Sequence, residues 1–215
     1  MFVPGNRRPV VMTAVDVPGT ARTTEVECCA PAELTVAFTD LEDFTSYTEA
    51  EGDDVASRLL IGHHRESAAI VRARGGRVLK RLGDGLMLTF PVPEAAVLAC
   101  LELGEAAPLR LRAGIHVGHV IVTGDDVFGH VVNLAARVAG SAAGGQLIVT
   151  DHVRAAIGEL AGVAFDGPYQ RSFKGIEEKV PVYVTSRQVH RSAAPPSGPA
   201  STTFFRRAQP RQSVR

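Results

Sequence analysis

Residues 77–90 read RVLKRLGDGLMLTF, in which two apolar runs flank the turn Gly83-Asp84-Gly85. Glycine on both sides of an aspartate supplies the backbone freedom that a tight turn needs, and each flanking run has the length of a β-strand. The stretch therefore predicts a β-hairpin with strands at residues 77–82 and 86–90. It also places one acidic side chain, Asp84, at the tip of that hairpin.

The segments on either side of the hairpin alternate between strand and helix patterns. Residues 34–40 form a short apolar run, and residues 55–71 follow helical spacing up to the pair Gly75-Gly76. An alanine-rich helix is predicted at 94–106, and residues 109–122 are strand-like, interpreted as two strands broken near Gly118. The order βαββαβ predicts an α+β, ferredoxin-like arrangement: an antiparallel sheet with helices on one face.

The C-terminal part of the chain extends this core. It is predicted to add a helix at 131–142, a strand at 147–149, a short helix at 153–157 and a strand at 180–185. A chain of 215 residues with 45% hydrophobic content suits one domain, which we place at residues 32–187. Residues 1–31 are predicted to be a flexible leader, and residues 188–215 a disordered basic tail rich in Pro, Ser and Ala.

Composition excludes several classes of function. The 23 basic and 23 acidic residues balance, so the overall charge does not favour a nucleic-acid partner. Three cysteines, two of them adjacent at Cys28 and Cys29, form neither a disulfide framework nor a zinc motif. No apolar stretch approaches the roughly 20 residues of a membrane span. We therefore expect a soluble, cytoplasmic protein without stable membrane insertion.

Asp40 ends the first predicted strand and precedes a turn into a helix, where free N–H groups can bind phosphate oxygens. We expect the first strand to lie centrally in the sheet, beside the strand that leads into the hairpin, so that Asp84 comes near Asp40. Two carboxylates at one sheet edge suit Mg²⁺, Mn²⁺ or Ca²⁺. Each aspartate alone also fits a simpler role, Asp40 as a helix cap and Asp84 as a turn residue.

Asn133 and Arg137 are four residues apart in the predicted helix at 131–142, so they share one helical face. An arginine offers a planar, permanently charged fork for phosphate oxygens, and an asparagine can orient a sugar oxygen. The spacing alone also fits a solvated surface pair.

Three motifs in order make the chain resemble the catalytic domain of class III nucleotidyl cyclases, of the soluble bacterial type, from about residue 33 to 187. The motifs read FTDLEDFT at 38–45, KRLGDG at 80–85 and DVFGHVVNLAAR at 126–137. The resemblance implies a ferredoxin-like fold that works as a head-to-tail homodimer with shared active sites. It implies an adenylyl cyclase that converts ATP to 3′,5′-cyclic AMP and pyrophosphate.

The same resemblance assigns roles to individual residues. It implies that Asp40 and Asp84, with Leu41, hold two divalent cations, Mg²⁺ or Mn²⁺, with Ca²⁺ as an inhibitory substitute. It makes Asn133 and Arg137 catalytic, orienting the ribose and stabilising charge at the α-phosphoryl group. The residues that it assigns to substrate binding are Phe44, Thr45, Lys80, Arg112, Asp126 and Lys174.

Lys80 and Asp126 correspond to the family's base-contacting pair. A lysine donor and an aspartate acceptor complement adenine N1 and N6, whereas guanine reverses both groups. The resemblance also implies that Lys80 serves one active site of a dimer and Asp84 the other. A homodimer would then contain two complete sites, and a monomer would be inactive.

Two departures from the family pattern stand out. Asp43 occupies the usual glycine position in the turn, and residues 120–128 are short for the arm that many relatives extend around a partner. The alternatives to an adenylyl cyclase are a guanylyl or mixed-specificity cyclase, or a silent nucleotide-binding dimerisation module. A GGDEF-type or polymerase-palm enzyme would share the strand order, but the chain has no GGDEF run.

Overall fold

In the computed structural model, residues 30–188 are described. The predicted leader and tail lie outside this range except for residues 30, 31 and 188. Cys28 and Cys29 also lie outside it. The strands are β1 (Ala30–Leu41), β2 (Arg77–Leu82), β3 (Gly85–Phe90), β4 (Leu111–Thr123), β5 (Asp126–Phe128), β6 (Leu147–Thr150), β7 (Val163–Arg171) and β8 (Val180–Arg187). The helices are α1 (Phe44–Glu51), α2 (Asp53–Ala73), α3 (Pro93–Ala106), α4 (His130–Gly140) and α5 (Asp151–Ile157).

The strands form one sheet in the order β2-β3-β1-β4-β6-β8-β7, with β5 paired to β4. The first four strands reproduce the predicted βαββαβ core, and β1 is central. Its neighbour is β3, the strand that leaves the hairpin, so the expectation that it pairs with the strand leading in is wrong. The long α2 connection carries the chain past one strand position, and β3 fills the gap between β1 and β2.

Both faces of the central strands are buried, because helices pack on both sides of the sheet. Ala37 belongs to a core formed with α2, α3 and α5, whereas Val36 belongs to a second core formed with α4. The core helices α2 and α3 lie on one face, as predicted, whereas α4 of the C-terminal extension covers the other face. Four consecutive buried residues at 113–116 in β4 are the signature of a strand covered on both faces.

Strand β4 is continuous through Gly118, which corrects the predicted break. The glycine is required by packing, because a Cβ at this position would lie 2.9 Å from Cγ2 of Val131 in α4. Parallel pairing of β4 with β6 also makes the complete sheet mixed. A helix after the Asp40 turn was expected, although α1 and α2 were not distinguished, whereas β5 and β7 were not predicted. Strand β7 is mostly exposed and lacks the apolar alternation that marks a strand.

A buried histidine links β4 to β6. His116 is 5% exposed, and its Nδ1 lies 2.8 Å from the hydroxyl of Thr150. The ring of His152 packs edge-on against it at 5.3 Å between centroids. Burial lowers the pKa of His116 to about 4, so the ring is neutral at physiological pH.

Within residues 30–188, no helix combines the length and the apolar character that crossing a membrane requires.

Candidate active site

The two aspartates meet where β1 ends and the β2–β3 hairpin turns. Asp84 Oδ2 accepts a hydrogen bond of 3.2 Å from the backbone N–H of Leu41, the residue after Asp40. Burial and then the charge of Asp40 raise the pKa of Asp84 above its usual value. Two carboxylates are thus held close enough to repel each other, an arrangement that a cation relieves.

Arg112 is the cross-strand partner of Asp40 in the β1–β4 ladder. Its Nε donates a 2.8 Å hydrogen bond to Asp40 Oδ2, and its Nη2 contacts the same oxygen. The guanidinium therefore lies beside Asp40, on the sheet edge where phosphate was expected. A pocket of about 200 Å³ adjoins it, bounded on the far side by Ala136, Ala139 and Gly140 of α4.

The turn from β1 into α1 contains a residue in the left-handed conformation. Asp43 caps α1 with φ 59° and ψ 23°, so an aspartate adopts the left-handed geometry expected at this usual glycine position. Its side chain makes no capping bond. Phe44 packs against the main core and Thr45 is exposed, so the first-turn N–H groups, rather than the Phe44 ring, are suited to meet a ligand.

Lys80 and Asp126, the predicted base-reading residues, are in direct contact. Lys80 Nζ donates a 2.6 Å hydrogen bond to Asp126 Oδ2, and this bond lowers the pKa of Asp126. The ammonium group also lies 5.5 Å from the ring centre of Phe128. A donor, an acceptor and an aromatic face are therefore available in one place on the surface.

A β-bulge in β2 determines on which face of the sheet the Lys80 side chain lies. The β2–β3 register pairs Val78 with Leu88 and then Lys80 with Met87, so Leu79 is the extra residue. Without it, Lys80 would face the main core, whereas the bulge turns it to the face that carries α4. No pattern in the sequence marks this bulge.

Asn133 and Arg137 lie on α4, and Lys174 lies in the turn after β7. Asn133 and Lys174 are exposed, and Arg137 is half-buried. A Cβ built on Gly175 would be 3.6 Å from Nη2 of Arg137, which places the turn against this arginine. Phe173 anchors the turn by packing with α4 residues in a third core. The structure thus brings Arg137 and the 174–175 turn together.

These groups form three clusters in one copy of the chain. The first contains Asp40, Asp84 and Arg112 with the α1 turn. The second contains Lys80, Asp126 and Phe128, and the third contains Arg137 with the 174–175 turn. Across residues 30–188, no hydrogen bond or ion pair connects either aspartate to Lys80 or Arg137.

The donor set suits a hard cation. Its two side chains are carboxylates, and Leu41 can take part only through its main chain, since its side chain is 2% exposed in the core. In the described part of the chain, no three His, Cys, Asp or Glu side chains form a metal-binding group. Two carboxylates completed by substrate phosphates and water are a usual arrangement for Mg²⁺.

Two residues near these clusters escaped the sequence analysis. Phe128 lies in the third motif, but its contact with Lys80 depends on the β4–β5 hairpin. Glu42 lies in the first motif, and its partners are more than 60 residues away in the sequence.

Comparison with known proteins identifies the family to which the chain is similar. Residues 27–185 match the family described as the adenylate and guanylate cyclase catalytic domain. An uncharacterised protein of Mycobacterium tuberculosis is 35% identical over 146 residues, which cover 62% of this chain and 39% of that protein. A pH-sensitive adenylate cyclase of the same species is 32% identical over 172 residues, covering 75% of this chain and 43% of that protein. The chain thus spans about two-fifths of the length of these relatives.

Solved structures share the fold. The adenylyl cyclase from P. aeruginosa has a TM-score of 0.66 at 21% identity, covering 75% of this chain and 97% of that one. A guanylyl cyclase has a TM-score of 0.64 at 21% identity, covering 77% and 97%. Because the family match covers residues 27–185, the chain belongs to the adenylate and guanylate cyclase catalytic-domain family.

Proposed function

We propose that the chain is an adenylyl cyclase that converts ATP to 3′,5′-cyclic AMP and pyrophosphate. The observation that carries the proposal is the pairing of Asp40 with Asp84 beside the free N–H groups of the α1 turn. In this reaction the ribose 3′-oxygen forms a bond to the α-phosphorus, and the bond from that phosphorus to the β-phosphate oxygen breaks. The 3′-hydroxyl proton is released and pyrophosphate leaves.

Asp40 and Asp84 are proposed to hold two divalent cations, Mg²⁺ or Mn²⁺, with Leu41 contributing through its main chain. Such ions lower the pKa of the attacking hydroxyl and neutralise the polyphosphate when they are bound. The half-buried position of Asp84 and its repulsion from Asp40 favour cation binding there. Arg112 supplies a fixed positive charge at the same edge, available to a phosphate oxygen once Asp40 has another partner.

The α1 turn and Lys174 are proposed to bind the triphosphate. N–H groups at residues 44 and 45 begin the helix and have no partner within it, and a helix N-terminus favours an anion. The exposed Asp43 side chain makes no bond to the helix end. It can therefore turn to solvent and leave those N–H groups to the phosphates.

Asn133 and Arg137 are proposed to act on the reacting end of the nucleotide. Asn133 is exposed and one helical turn before Arg137, so both can reach one ligand. Asn133 would orient the ribose, and Arg137 would bind the charge that develops on the α-phosphoryl oxygens. The contact of the 174–175 turn with Arg137 supports a shared phosphate site.

Lys80 and Asp126 are proposed to select adenine. Lys80 donates to N1 and Asp126 accepts from N6, exchanging their mutual hydrogen bond for two bonds to the base. Guanine would leave both groups facing like partners, at about 1–3 kcal/mol for each unpaired group. A guanylyl cyclase remains the alternative outcome of the assay below.

A head-to-tail homodimer is proposed to bring the three clusters together into complete sites. Asp40 and Asp84 of one subunit would face Lys80 and Arg137 of the other. Leu82, which is 50% exposed, and Phe128, which is 49% exposed, flank Lys80 in sequence and space. Half-exposed apolar side chains around polar binding groups are typical of a protein interface.

The direct test incubates the purified protein with ATP or GTP and with Mn²⁺ or Mg²⁺, then identifies the products by mass spectrometry. We expect cyclic AMP from ATP and little cyclic GMP from GTP. Cyclic GMP as the main product would replace the substrate assignment, and no cyclic product with either nucleotide would refute the enzymatic function.

The shared-site arrangement is tested by complementation. Asp84→Ala and Arg137→Ala homodimers should each be nearly inactive. Mixing them should restore activity, because one site of each heterodimer receives neither substitution. Absence of rescue in demonstrated heterodimers would refute the shared site while leaving the cyclase assignment to the product assay.

A further inference from the structure

Glu42 lies inside the α1 turn, between the metal-site residue Leu41 and the helix cap Asp43. One carboxylate oxygen, Oε1, accepts a 2.9 Å hydrogen bond from the backbone N–H of Gly144. The other, Oε2, forms an ion pair with Arg110. The side chain is only 25% exposed, so it faces the protein rather than an incoming nucleotide.

The groups that bind Glu42 belong to the rigid framework of the sheet. In the loop before β6, the N–H of Gly145 donates to the carbonyl of Leu111 at 3.0 Å. Glu42 itself extends the β1–β4 pairing, since its N–H donates to the carbonyl of Arg110 at 2.8 Å. Its carboxylate therefore connects the α1 turn both to Arg110, the residue before β4, and to the loop that leads into β6.

The turn needs such a fastening. Asp43 holds a left-handed conformation that costs a non-glycine residue energy, and α1 is a two-turn helix that buries none of its residues completely. Asp84 also holds the turn, because it accepts a hydrogen bond from the backbone N–H of Leu41. Asp84 is also proposed to bind a cation. The contacts of Glu42 with Gly144 and Arg110 hold the turn without involving the metal site.

We infer that Glu42 is a positioning residue that aims the N–H groups of the α1 turn at the triphosphate and so sets the affinity for nucleotide without touching it. The inference rests on the proposed function of that turn. Because these contacts are present before and during reaction, losing them should raise KM and leave kcat nearly unchanged.

The structure supplies a graded set of variants. Glu42→Ala removes both contacts. Glu42→Gln keeps an oxygen for the Gly144 N–H and loses the charge that pairs with Arg110, as Arg110→Ala does from the other side. Gly144→Ala keeps the Glu42 side chain but displaces its carboxylate, since the new Cβ would lie 2.1 to 2.5 Å from the carboxylate atoms.

Glu42→Ala and Gly144→Ala should raise the KM for ATP about tenfold, which corresponds to about 1.4 kcal/mol of lost binding. Glu42→Gln and Arg110→Ala should each raise it only about threefold, because the Arg110 side chain is 71% exposed and an ion pair with an exposed partner contributes little. In all four variants kcat should stay within about twofold of the wild-type value.

Calorimetry with pyrophosphate and Mn²⁺ measures the phosphate affinity of the α1 turn without catalytic turnover. Glu42→Ala and Gly144→Ala should weaken it about tenfold and leave adenosine binding unchanged. This measurement separates the two hypotheses. A protein that makes no cyclic nucleotide but loses pyrophosphate affinity in these variants would refute the cyclase and retain the positioning role.

Glu105→Ala is the matched control. It removes a surface Glu–Arg pair, with Arg187, that lies in other elements, so KM and pyrophosphate affinity should not change. If Glu42→Ala and Gly144→Ala also leave both constants within about twofold of wild type, the inference is wrong. It is equally wrong if their melting temperatures fall while kcat and KM change together with adenosine affinity, since Glu42 would then only stabilise the fold.

Discussion

Replacing Gly114 by alanine tests the contact on which the placement of α4 depends. Gly114 lies in β4 where the helix crosses it, opposite Phe38 of β1. A Cβ at this position would lie 2.1 Å from the backbone nitrogen of Ala139 and 2.5 Å from its Cα. Both atoms belong to the helix backbone, so no side-chain rotation can relieve the clash.

The expected magnitude follows from that geometry. Ordinary contact begins at 3.4 Å, so the helix must withdraw by about 1.3 Å or the strand must distort. Overpacking of this kind typically costs about 1–3 kcal/mol of stability. Arg137 lies two residues before Ala139 on the same helix, and a displacement of about 1 Å in a catalytic group can lower the rate about 100-fold.

Urea denaturation and the cyclase assay measure the two effects separately. Gly104→Ala is the matched control, because this exposed glycine lies in α3 and an added methyl group would have no heavy atom within 4 Å. Removing a glycine from a helix should stabilise the protein by up to about 1 kcal/mol. A Gly114→Ala protein as stable and active as the wild type would refute the close approach of α4 to β4.

Three further predictions use other sites. Asp84→Asn should raise the melting temperature of the metal-free protein, because it removes repulsion from Asp40, and should abolish the increase that Mn²⁺ produces in the wild type; thermal melts with and without the ion check both. The pKa of His116 is about 4 in the folded protein against 6.5 ordinarily, so the unfolded chain takes up the proton first as pH falls. The free energy of unfolding should therefore decrease from pH 6.5 towards 4, and His116→Gln should flatten that decrease in denaturation curves; an unchanged slope would contradict the assignment. Changing Lys80 to Glu together with Asp126 to Gly should lower the ratio of kcat/KM for ATP to that for GTP, and an unchanged ratio would show that neither residue reads the base.

Much of the fold was predictable because its signals are local. The Gly83-Asp84-Gly85 turn, the apolar runs around it and the helix endings at glycine and proline each depend on a few neighbouring residues. They predicted the hairpin, the long helices and the βαββαβ order, all of which the structure confirms. The apparent break at Gly118 was wrong because that glycine serves a distant side chain, Val131, rather than a turn.

The candidate site residues could be proposed from the sequence, since three motifs carry most of them in order; Arg112 and Lys174 lie outside those motifs. The contacts that these residues make with one another were less predictable. Lys80 and Asp126 were predicted to contact the same base, but neither their hydrogen bond to each other nor the cross-strand bond of Arg112 to Asp40 was expected. Both partners of Asp40 in that cluster, Arg112 and Asp84, reach it through strand pairing.

By itself the sequence determined the elements, the motifs and the family, because those depend on residue type and spacing along the chain. Only the tertiary structure decided that α4 covers the second face of the sheet, that a bulge aims Lys80, and that Glu42 fastens the α1 turn. Each of these depends on contacts between segments far apart in the sequence, and on a strand register that no local pattern encodes.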